Sequence, residues 1–374
     1  MKHTPTTSLG RGLSAAVLLF ASAQFALAQS IVTSPPQGPT AQWSAADRAS
    51  AQPAPMPTVT GRPTAAASQA LQAAGDPEVV PGNTASNALR APWVAKAQAA
   101  LQRAVSVEPE IGPGSTEWYS YPPPSTLYIP ILDYVFFPSY PHSVVGKLFF
   151  NDVVGGGFVC SAQSVTSAGT WGAGNRQTVV TAGHCCSDGN GNFHNSWRFE
   201  PAHLNGAAPF GAWTANNATV YTAWHTGADL SVDYCVLQMN TLGNQNINDS
   251  IGSLGYASNL PLPQAYHATG WPAAAPFSGG LLFIAATSDA ETDTNQAGLL
   301  PFTHGVGSTM TGGSSGGAWI GNYQPFVPGA SNLFNGLNSY MYINPNRPAE
   351  MFGPYIDATF VNLLEIVATQ PPVP

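Results

Sequence analysis

From about residue 140 onward, the chain consists of short apolar segments separated by glycine, asparagine, aspartate and proline. Such segments predict β-strands, because the residues between them favour turns. The predicted strands cover residues 144–150, 157–161, 177–182, 218–222, 234–239, 281–286, 317–320 and 336–343. Many short strands joined by turns indicate an all-β sandwich or barrel. Near the C-terminus, a short helix is predicted whose apolar face carries Phe360, Leu363, Leu364 and Val367.

The first residues have the pattern of an export signal. Lys2 and Arg11 precede an apolar run over residues 13–20, and small residues ending at Ala28 follow. This order of basic, apolar and small residues predicts a secretory signal peptide over residues 1–28. The mature protein is therefore expected to be secreted.

The next segment, residues 29–115, predicts a pro-segment or linker. Residues 29–82 are rich in alanine, proline, serine and threonine without a regular period, which predicts linker or disordered sequence. Apolar residues then recur every four positions and predict one amphipathic helix over residues 84–106. Two interpretations of this helix stay open: a pro-segment helix that docks on the following domain, and a linker helix without a role. Residues 116–374 form the predicted main domain.

Composition narrows the possible partners. Of 374 residues, 44% are hydrophobic and only 8% are charged, with a formal net charge of −8. The chain can bury a large core, and disorder caused by high charge is excluded. An acidic balance argues against nucleic acid or an anionic membrane as a partner, because both need a basic face. Four cysteines in an exported chain favour disulfides.

A serine between glycines is the first candidate for chemistry. Ser315 lies in the segment Gly-Gly-Ser-Ser-Gly-Gly over residues 312–317. Glycines expose the hydroxyl and let backbone N–H groups converge on an oxyanion. The segment also fits the nucleophile elbow of α/β-hydrolases, in which a histidine follows the serine. None of the eight histidines follows Ser315, so a catalytic base must lie upstream.

A candidate base and a candidate acid lie upstream at the ends of apolar strands. His184 follows the apolar run of residues 179–182, and Asp233 stands at the head of the strand over residues 234–239. A buried aspartate can hold an imidazole in one tautomer and stabilise its protonated form. Asp229 is a lesser rival to Asp233 for this role.

The segments Thr-Ala-Gly-His-Cys, Asp-Tyr-Cys-Val-Leu and Gly-Gly-Ser-Ser-Gly-Gly, in this order, resemble the three signatures of chymotrypsin-like (trypsin-fold) serine peptidases. The resemblance covers roughly residues 140–368. It implies an all-β fold of two six-stranded antiparallel β-barrels with a short C-terminal helix, and a site between the barrels. It implies no cofactor and no metal, a monomer, and a protein or peptide as the substrate.

The same resemblance assigns roles to single residues. His184 matches the general base, Asp233 the acid that orients it and Ser315 the nucleophile, while the N–H groups of Gly313 and Ser315 match the oxyanion hole. Ser314 stands where many relatives carry an aspartate that pairs with a newly cut N-terminus. Activation by that ion pair is therefore not expected.

Residues that bind substrate follow from the resemblance as well. Ser339 and Tyr340 match the strand that lines the specificity pocket and pairs with the substrate backbone. Thr309 matches the pocket floor, and because it is neutral, a preference for lysine or arginine is not expected.

The resemblance also implies a disulfide between Cys160 and Cys185, which leaves Cys186 and Cys235 for a second bridge. A zinc site formed by Cys160, Cys185 and Cys186 with His194 or His203 is the rival interpretation. It is disfavoured because zinc sites usually show two closely spaced ligand pairs.

The predicted function is a secreted serine endopeptidase that forms an acyl-enzyme on Ser315. A catalytically silent binding module of the same fold and an esterase with the same triad are the alternatives. The acidic residues Asp289, Glu291 and Asp293 are expected to form a solvated loop rather than a calcium site.

Overall fold

The fold is described from a computed structural model. It covers residues 30–38, 43–61, 63, 75–85, 95, 127–130, 139–166, 176–293, 302–325, 327, 331–343 and 349–374. The predicted signal peptide 1–28 lies outside these residues, as does the predicted helix 84–106 except for residues 84, 85 and 95. Among the residues described, no helix is both long enough and apolar enough to cross a membrane.

The described residues form mostly short strands. In chain order the strands are β1 (Ile31–Thr33), β2 (Gln52–Pro53), β3 (Thr58–Thr60), β4 (Glu78–Val80), β5 (Leu127–Pro130), β6 (Val145–Asn151), β7 (Gly157–Ser164), β8 (Thr178–Thr181), β9 (Asn195–Pro201), β10 (Trp213–Tyr221), β11 (Cys235–Met239), β12 (Gly255–Ser258), β13 (Ala265–Gly270), β14 (Phe283–Asp293), β15 (Thr303–Gly307), β16 (Ala318–Gly321), β17 (Leu333–Leu337), β18 (Met341–Ile343) and β19 (Glu350–Pro354). The helices are α1 (Ala45–Ser50), α2 (Thr222–Gly227), α3 (Ile247–Ile251) and α4 (Ala358–Ala368).

Six of these strands close into a barrel. The order is β10, β11, β8, β7, β6 and β9, and β9 pairs again with β10. Every pairing around the barrel is antiparallel. Residues of β8 and β11 are buried throughout, because one side of each strand faces the barrel interior and neighbouring elements cover the other.

Strands β12–β17 and β19 form a second sheet together with β4 and β5 from earlier in the chain. Its order is β19, β15, β14, β13, β16, β17, β12 and β4, with β5 beside β14. A backbone bridge between Tyr340 and Phe352 joins the segment after β17 to β19. Together with the closed barrel, this arrangement confirms the predicted double-barrel fold.

Helix α4 packs against the first barrel, as the apolar spacing near the C-terminus predicts. Asp357 begins the helix, and its carboxylate accepts a hydrogen bond from the N–H of Thr359 at 2.8 Å. The apolar face is fully buried, and the Phe360 ring lies 5.4 Å from the ring of Tyr234. The predicted C-terminal helix is therefore confirmed.

The acidic run in the second barrel corrects one expectation. Asp289 and Asp293 lie in β14 and are buried, so the prediction of a solvated loop is wrong. Asp289 accepts a hydrogen bond from His304 Nδ1 at 2.6 Å, and Asp293 accepts from the hydroxyl of Tyr340 at 2.8 Å. These donors come from distant parts of the chain, so local composition does not reveal that the carboxylates are paired.

The N-terminal segment contains more regular structure than the sequence predicts. Linker or disordered sequence was expected over residues 29–82, but this stretch includes β1, β2, β3, β4 and α1. β1 extends the first barrel beside β10, and β4 extends the second sheet beside β12. β1 pairs with the part of β10 that β9 does not reach, where backbone groups on that side are otherwise unpaired by a strand. Such backbone pairing leaves no hydrophobic period in the sequence.

Helix α1 is anchored to the first barrel by an aromatic side chain and a charge. Trp43 directly precedes the helix cap; its ring lies 5.5 Å from that of Phe149, and its Nε1 donates to Ser196 O at 2.8 Å. Arg48 in the helix donates to Glu200 Oε1 at 3.2 Å. Burial alone would raise the pKa of the Glu200 carboxyl, but the hydrogen bond from His203 and the nearby cationic charges lower that pKa to about 2.

All four cysteines form disulfides. Cys160 in β7 is joined to Cys185, and Cys186 is joined to Cys235 in β11. The first bridge links residues 25 apart in sequence and the second links residues 49 apart. Because disulfide sulfurs are not thiolates, the rival zinc site lacks the ligands that it would need.

The second disulfide is expected to contribute strongly to stability. A cross-link that closes a loop of 49 residues restricts the unfolded chain. Replacing both Cys186 and Cys235 by alanine should lower the free energy of unfolding by about 2–5 kcal/mol. Urea unfolding of the oxidised wild type and the double variant measures this difference, and equal midpoints would contradict the expectation.

Acid should weaken the Glu200 cluster. Because the pKa of Glu200 in the folded protein is about 2, below its ordinary value of 4.5, its stabilisation is complete above about pH 5 and is lost as the pH falls towards 2. We expect the difference in unfolding free energy between the wild type and Glu200→Gln to shrink over that range. Denaturant unfolding at several pH values gives both curves. If the unfolding free energies of the wild type and Glu200→Gln stay equally far apart as the pH falls from 5 to 2, ionised Glu200 is not the source of the acid sensitivity.

Candidate active site

Two neighbouring strands of the first barrel bring His184 and Asp233 together. His184 lies in a 3-10 turn directly after β8, and Asp233 ends another 3-10 turn directly before β11. β8 and β11 pair, with Thr181 opposite Cys235. Because β8 and β11 are antiparallel, the residue after the end of β8 and the residue before the start of β11 meet at one end of the barrel, although 49 positions separate them in sequence.

The Asp233 carboxylate fixes the His184 ring. Its Oδ1 accepts from the backbone N–H of His184 at 2.7 Å, and its Oδ2 accepts from His184 Nδ1 at 2.8 Å. Asp233 is fully buried. Since a carboxylate only accepts hydrogen bonds, Nδ1 carries the hydrogen and Nε2 presents its lone pair. Asp229, the lesser rival, accepts from the N–H and hydroxyl of Ser231 instead.

The second barrel supplies a third donor to the same carboxylate. The hydroxyl of Ser339 donates to Asp233 Oδ2 at 2.5 Å. The family resemblance assigned Ser339 to substrate binding. It did not predict that the Ser339 hydroxyl binds the Asp233 carboxylate. Its backbone N–H is also engaged, since it donates to Phe352 O at 2.9 Å.

The turn that carries His184 is held from several sides. Trp197 Nε1 donates to Cys185 O at 3.0 Å, and Trp224 Nε1 donates to Ser187 O at 3.2 Å. His194 Nε2 donates to His184 O at 3.2 Å. Burial lowers the pKa of His194, which favours its neutral form. These contacts keep the His184 backbone in place without adding a charge beside the imidazole.

Ser315 lies beside the same turn. Its carbonyl oxygen accepts from the N–H of Ser161 at 2.7 Å and is 3.9 Å from Cys185 Sγ. The Ser315 side chain is fully buried. Among the residues described, neither Ser315 Oγ nor His184 Nε2 has a hydrogen-bond partner. The two atoms are therefore not bonded to each other, and neither is engaged elsewhere in that part of the chain.

The loop before Ser315 takes a shape that needs glycine. Gly313 has φ +97°, and a Cβ there would lie 2.8 Å from Trp271 O and 2.9 Å from Ala273 N. The Gly313 carbonyl accepts from the hydroxyl of Ser161 at 3.0 Å. This bond fixes the orientation of the peptide that follows Gly313.

Ser314 completes the loop with neutral bonds. Its hydroxyl donates to Thr311 O at 2.8 Å, and its N–H donates to the same oxygen at 3.1 Å. The Ser314 carbonyl accepts from Asn338 Nδ2 at 3.0 Å. Asn338 was not singled out from the sequence, because an asparagine beside a strand carries no distinctive signal. Among the residues that the structure describes, the bonds that hold this loop are neutral and none is an ion pair.

The other two residues matched to substrate binding have different surroundings. Tyr340 is buried, and its hydroxyl also interacts with that of Thr303 at 2.7 Å. Thr309 is half-buried and lies shortly after β15. Tyr340 directly follows Ser339 and directly precedes β18.

A cavity of about 670 Å³ opens beside His184. Its lining is mostly apolar and includes Phe158, Trp224 and Leu230 from the first barrel. Met56 and Val59, from the N-terminal segment, line the opposite side.

A double barrel in which a buried aspartate binds a histidine next to a serine in a glycine-rich loop is the arrangement of chymotrypsin-fold serine hydrolases. Solved protease structures agree with this class. Protease Anisep from Arthrobacter nicotinovorans matches with a TM-score of 0.53 and 35% sequence identity, over 61% of this chain and 96% of that chain. The thermostable serine protease AL20 from an extremophilic microorganism matches with a TM-score of 0.53 and 33% identity, over 62% of this chain and 99% of that chain.

The chain belongs to the chymotrypsin-like serine protease family, since it matches nearly the whole length of these two proteases at more than 30% identity. No protein-family model matches the chain, and no curated protein matches it.

Replacing Gly316 tests the packing of this loop. Gly316 has φ +80°, and a Cβ there would overlap Thr181 Oγ1 and approach Ser161 O to 2.5 Å. We expect Gly316→Ala to lower the free energy of unfolding by about 3 kcal/mol or more, because backbone must shift on both sides.

Gly321→Ala is the matched control. A Cβ at Gly321 would meet only Leu333 O at 3.8 Å, an ordinary contact distance. Thermal unfolding of both variants gives the comparison. Similar stabilities for the two variants would refute the described loop conformation.

Proposed function

We propose that this protein is a secreted serine endopeptidase in which His184, Asp233 and Ser315 form the catalytic triad. The observation that carries the proposal is the hydrogen bond between His184 Nδ1 and buried Asp233 Oδ2 at 2.8 Å, with Ser315 held beside the His184 turn. Membership of the serine protease family supports hydrolysis of peptide bonds.

In the first step, Ser315 Oγ attacks the carbonyl carbon of the scissile peptide bond and His184 Nε2 takes the hydroxyl proton. Neither atom has another hydrogen-bond partner in the described part of the chain, so no existing bond must break. Asp233 stabilises the imidazolium that forms, because its two oxygens already bind the ring and backbone of His184.

The negative charge on the substrate oxygen is stabilised by the N–H groups of Gly313 and Ser315. Gly312 O accepts from the N–H of Ala273 at 2.8 Å and Ser314 O accepts from Asn338 Nδ2 at 3.0 Å, which orients the two peptides that carry these donors. Collapse of the intermediate transfers the proton from His184 to the leaving amine and leaves an ester on Ser315. Water then attacks the ester with His184 as base, which releases the acid and restores the enzyme.

The substrate is proposed to lie along the backbone at Ser339 and Tyr340, with its side chain directed towards Thr309. Because Thr309 is neutral, this pocket offers no counter-charge for lysine or arginine. The triad needs neither a metal nor a cofactor.

Secretion and domain organisation belong to the same proposal. Two disulfides fit an oxidising compartment, and the basic and apolar pattern of residues 1–28 fits an export signal. We propose residues 29–115 as the pro-segment and residues 116–374 as the peptidase domain.

Replacing the nucleophile gives the first test. Ser315→Ala should lower peptidase turnover by roughly four to six orders of magnitude, because the group that forms the acyl-enzyme is absent. Ser288→Ala, which removes a half-buried hydroxyl in β14, serves as the control and should keep wild-type turnover.

Peptide and simple ester substrates should be assayed in parallel on these variants. Loss of both activities in Ser315→Ala alone supports the proposal. Wild-type cleavage of esters but of no peptide or protein would favour an esterase. Wild-type inactivity on all substrates, without reaction with an organophosphorus probe, would favour a silent binding module.

A further inference from the structure

Part of the N-terminal segment runs from β7 of the first barrel to β18, which follows β17 of the second sheet. We name residues 52–60 the cleft strap. At one end, β2 pairs in parallel with β7, and the N–H of Ala54 donates to Val159 O at 2.9 Å. At the other end, β3 pairs in parallel with β18, and the N–H of Met341 donates to Pro57 O at 3.1 Å.

These two pairing edges flank the candidate triad. In β7, Val159 is followed by Cys160 and Ser161, whose N–H binds Ser315 O. β18 begins directly after Tyr340 and Ser339, whose hydroxyl binds Asp233. The cleft strap therefore uses the backbone groups on both sides of Ser315 that an extended peptide would use for strand pairing.

The cleft strap also lies against the loop before Ser315. A Cβ at Gly312 would lie 3.0 Å from Ala54 O and 3.5 Å from Pro53 Cβ. Further along, Met56 and Val59 form part of the wall of the cavity beside His184. Ser315 has no exposed surface in this arrangement. The strap runs along this loop and is a segment that can cover the Ser315 hydroxyl.

Proline makes the cleft strap a poor substrate. Pro53, Pro55 and Pro57 alternate with other residues, so every peptide bond from residue 52 to residue 58 has a proline on one side. A proline nitrogen carries no hydrogen, and the ring fixes φ near −65°. These bonds cannot easily adopt the geometry that nucleophilic attack and departure of an amine require. The segment can therefore occupy the cleft without being cut.

An anchor outside the cleft holds the strap. Trp43, which is 8% exposed, packs on Phe149 just before α1, and Arg48 in α1 binds Glu200. The Ser44 hydroxyl accepts from the N–H of Asp47, and the Asp47 carboxylate accepts from the N–H of Ser44, which caps the start of the helix. This anchor ends two residues before the strap starts.

We infer that the cleft strap is an intramolecular inhibitor: an extended, proline-rich segment of this chain that fills the peptide-binding cleft and blocks Ser315. This inference rests on the proposed function and specifies how the activity of the full chain is controlled. It also defines the kind of ligand that the cleft accepts, an extended backbone that adds a strand to β7 and β18.

Loosening the strap should expose Ser315 in the full-length protein. Trp43→Ala removes the aromatic anchor, and Ala54→Pro removes the N–H of residue 54, which donates to Val159 O; neither change touches the proposed triad. We expect each variant to react with a small fluorophosphonate roughly tenfold faster or more than the wild type, which corresponds to about 1.4 kcal/mol or more. Ala46→Ser, on the exposed face of α1, is the matched control and should react at the wild-type rate.

A peptide supplied in trans gives a second measurement. A synthetic peptide of residues 43–60 should slow the labelling of Trp43→Ala back towards the wild-type rate and remain uncut. The same peptide with its tryptophan replaced by alanine should slow labelling much less. Circular dichroism shows whether each variant is folded, and if Trp43→Ala is not, Ala54→Pro takes its place.

The outcomes separate the inference from the proposed function. Rapid labelling of the wild type at the same rate as the strap variants would overturn the inhibitor and leave the peptidase intact. Cleavage of the peptide within residues 52–58 would also overturn it. Failure of every folded form to label would overturn the proposed function, and the inhibitor with it.

Discussion

The buried carboxylate of Asp233 is the constraint on which the candidate site depends. Moving an ionised carboxylate from water into the protein interior costs several kcal/mol of folding free energy unless its oxygens accept hydrogen bonds there. Asp233 meets this requirement with donors from both barrels: the backbone and ring of His184, and the hydroxyl of Ser339. The first two donors fix the imidazole, and the third ties the position of the second barrel to that of the acid. The acid that orients the His184 ring is therefore bonded to both halves of the fold.

The loop before Ser315 is built on a different principle. Neutral bonds from Ser161, Ser314 and Asn338 hold its backbone. A loop held this way does not depend on a newly formed N-terminus, which agrees with serine at position 314. Under the proposed function, activity is then controlled by access to Ser315 rather than by assembly of the loop, and the inferred role of the cleft strap is to limit that access.

The sequence patterns predicted those strands and helices that carry continuous or periodic apolar residues. The runs around β6, β8 and β11 and the apolar face of α4 marked real elements, because a buried strand or helix face needs continuous or periodic apolar residues. The predicted strand over residues 336–343 is in fact two strands, β17 and β18, separated by the Ser339 segment. Strands with mixed polarity, such as β9, β13, β15 and β19, were not predicted.

In the candidate site, too, features marked by a local motif were predicted and contacts between distant strands were not. His184, Asp233 and Ser315 could be singled out because each sits in a distinctive segment, and the structure brings the first two into contact. Ser161, Asn338 and the bond from Ser339 to Asp233 could not be foreseen, since they depend on contacts between distant strands. The cleft strap was missed for a related reason. Its prolines and threonines are typical of a linker. It forms strands because its backbone pairs with β7 and β18, and not because its own side chains follow a strand pattern.

The most direct test is to locate the adduct formed when the folded full-length protein is exhaustively labelled with a fluorophosphonate. Tandem mass spectrometry of the digested protein identifies the modified residue. The account predicts a single phosphonylated serine, Ser315, and no adduct in the Asp233→Asn variant under the same exposure, because the imidazole then loses the carboxylate that orients it. Modification of a different residue, or equal labelling of Ser315 in both proteins, would contradict it.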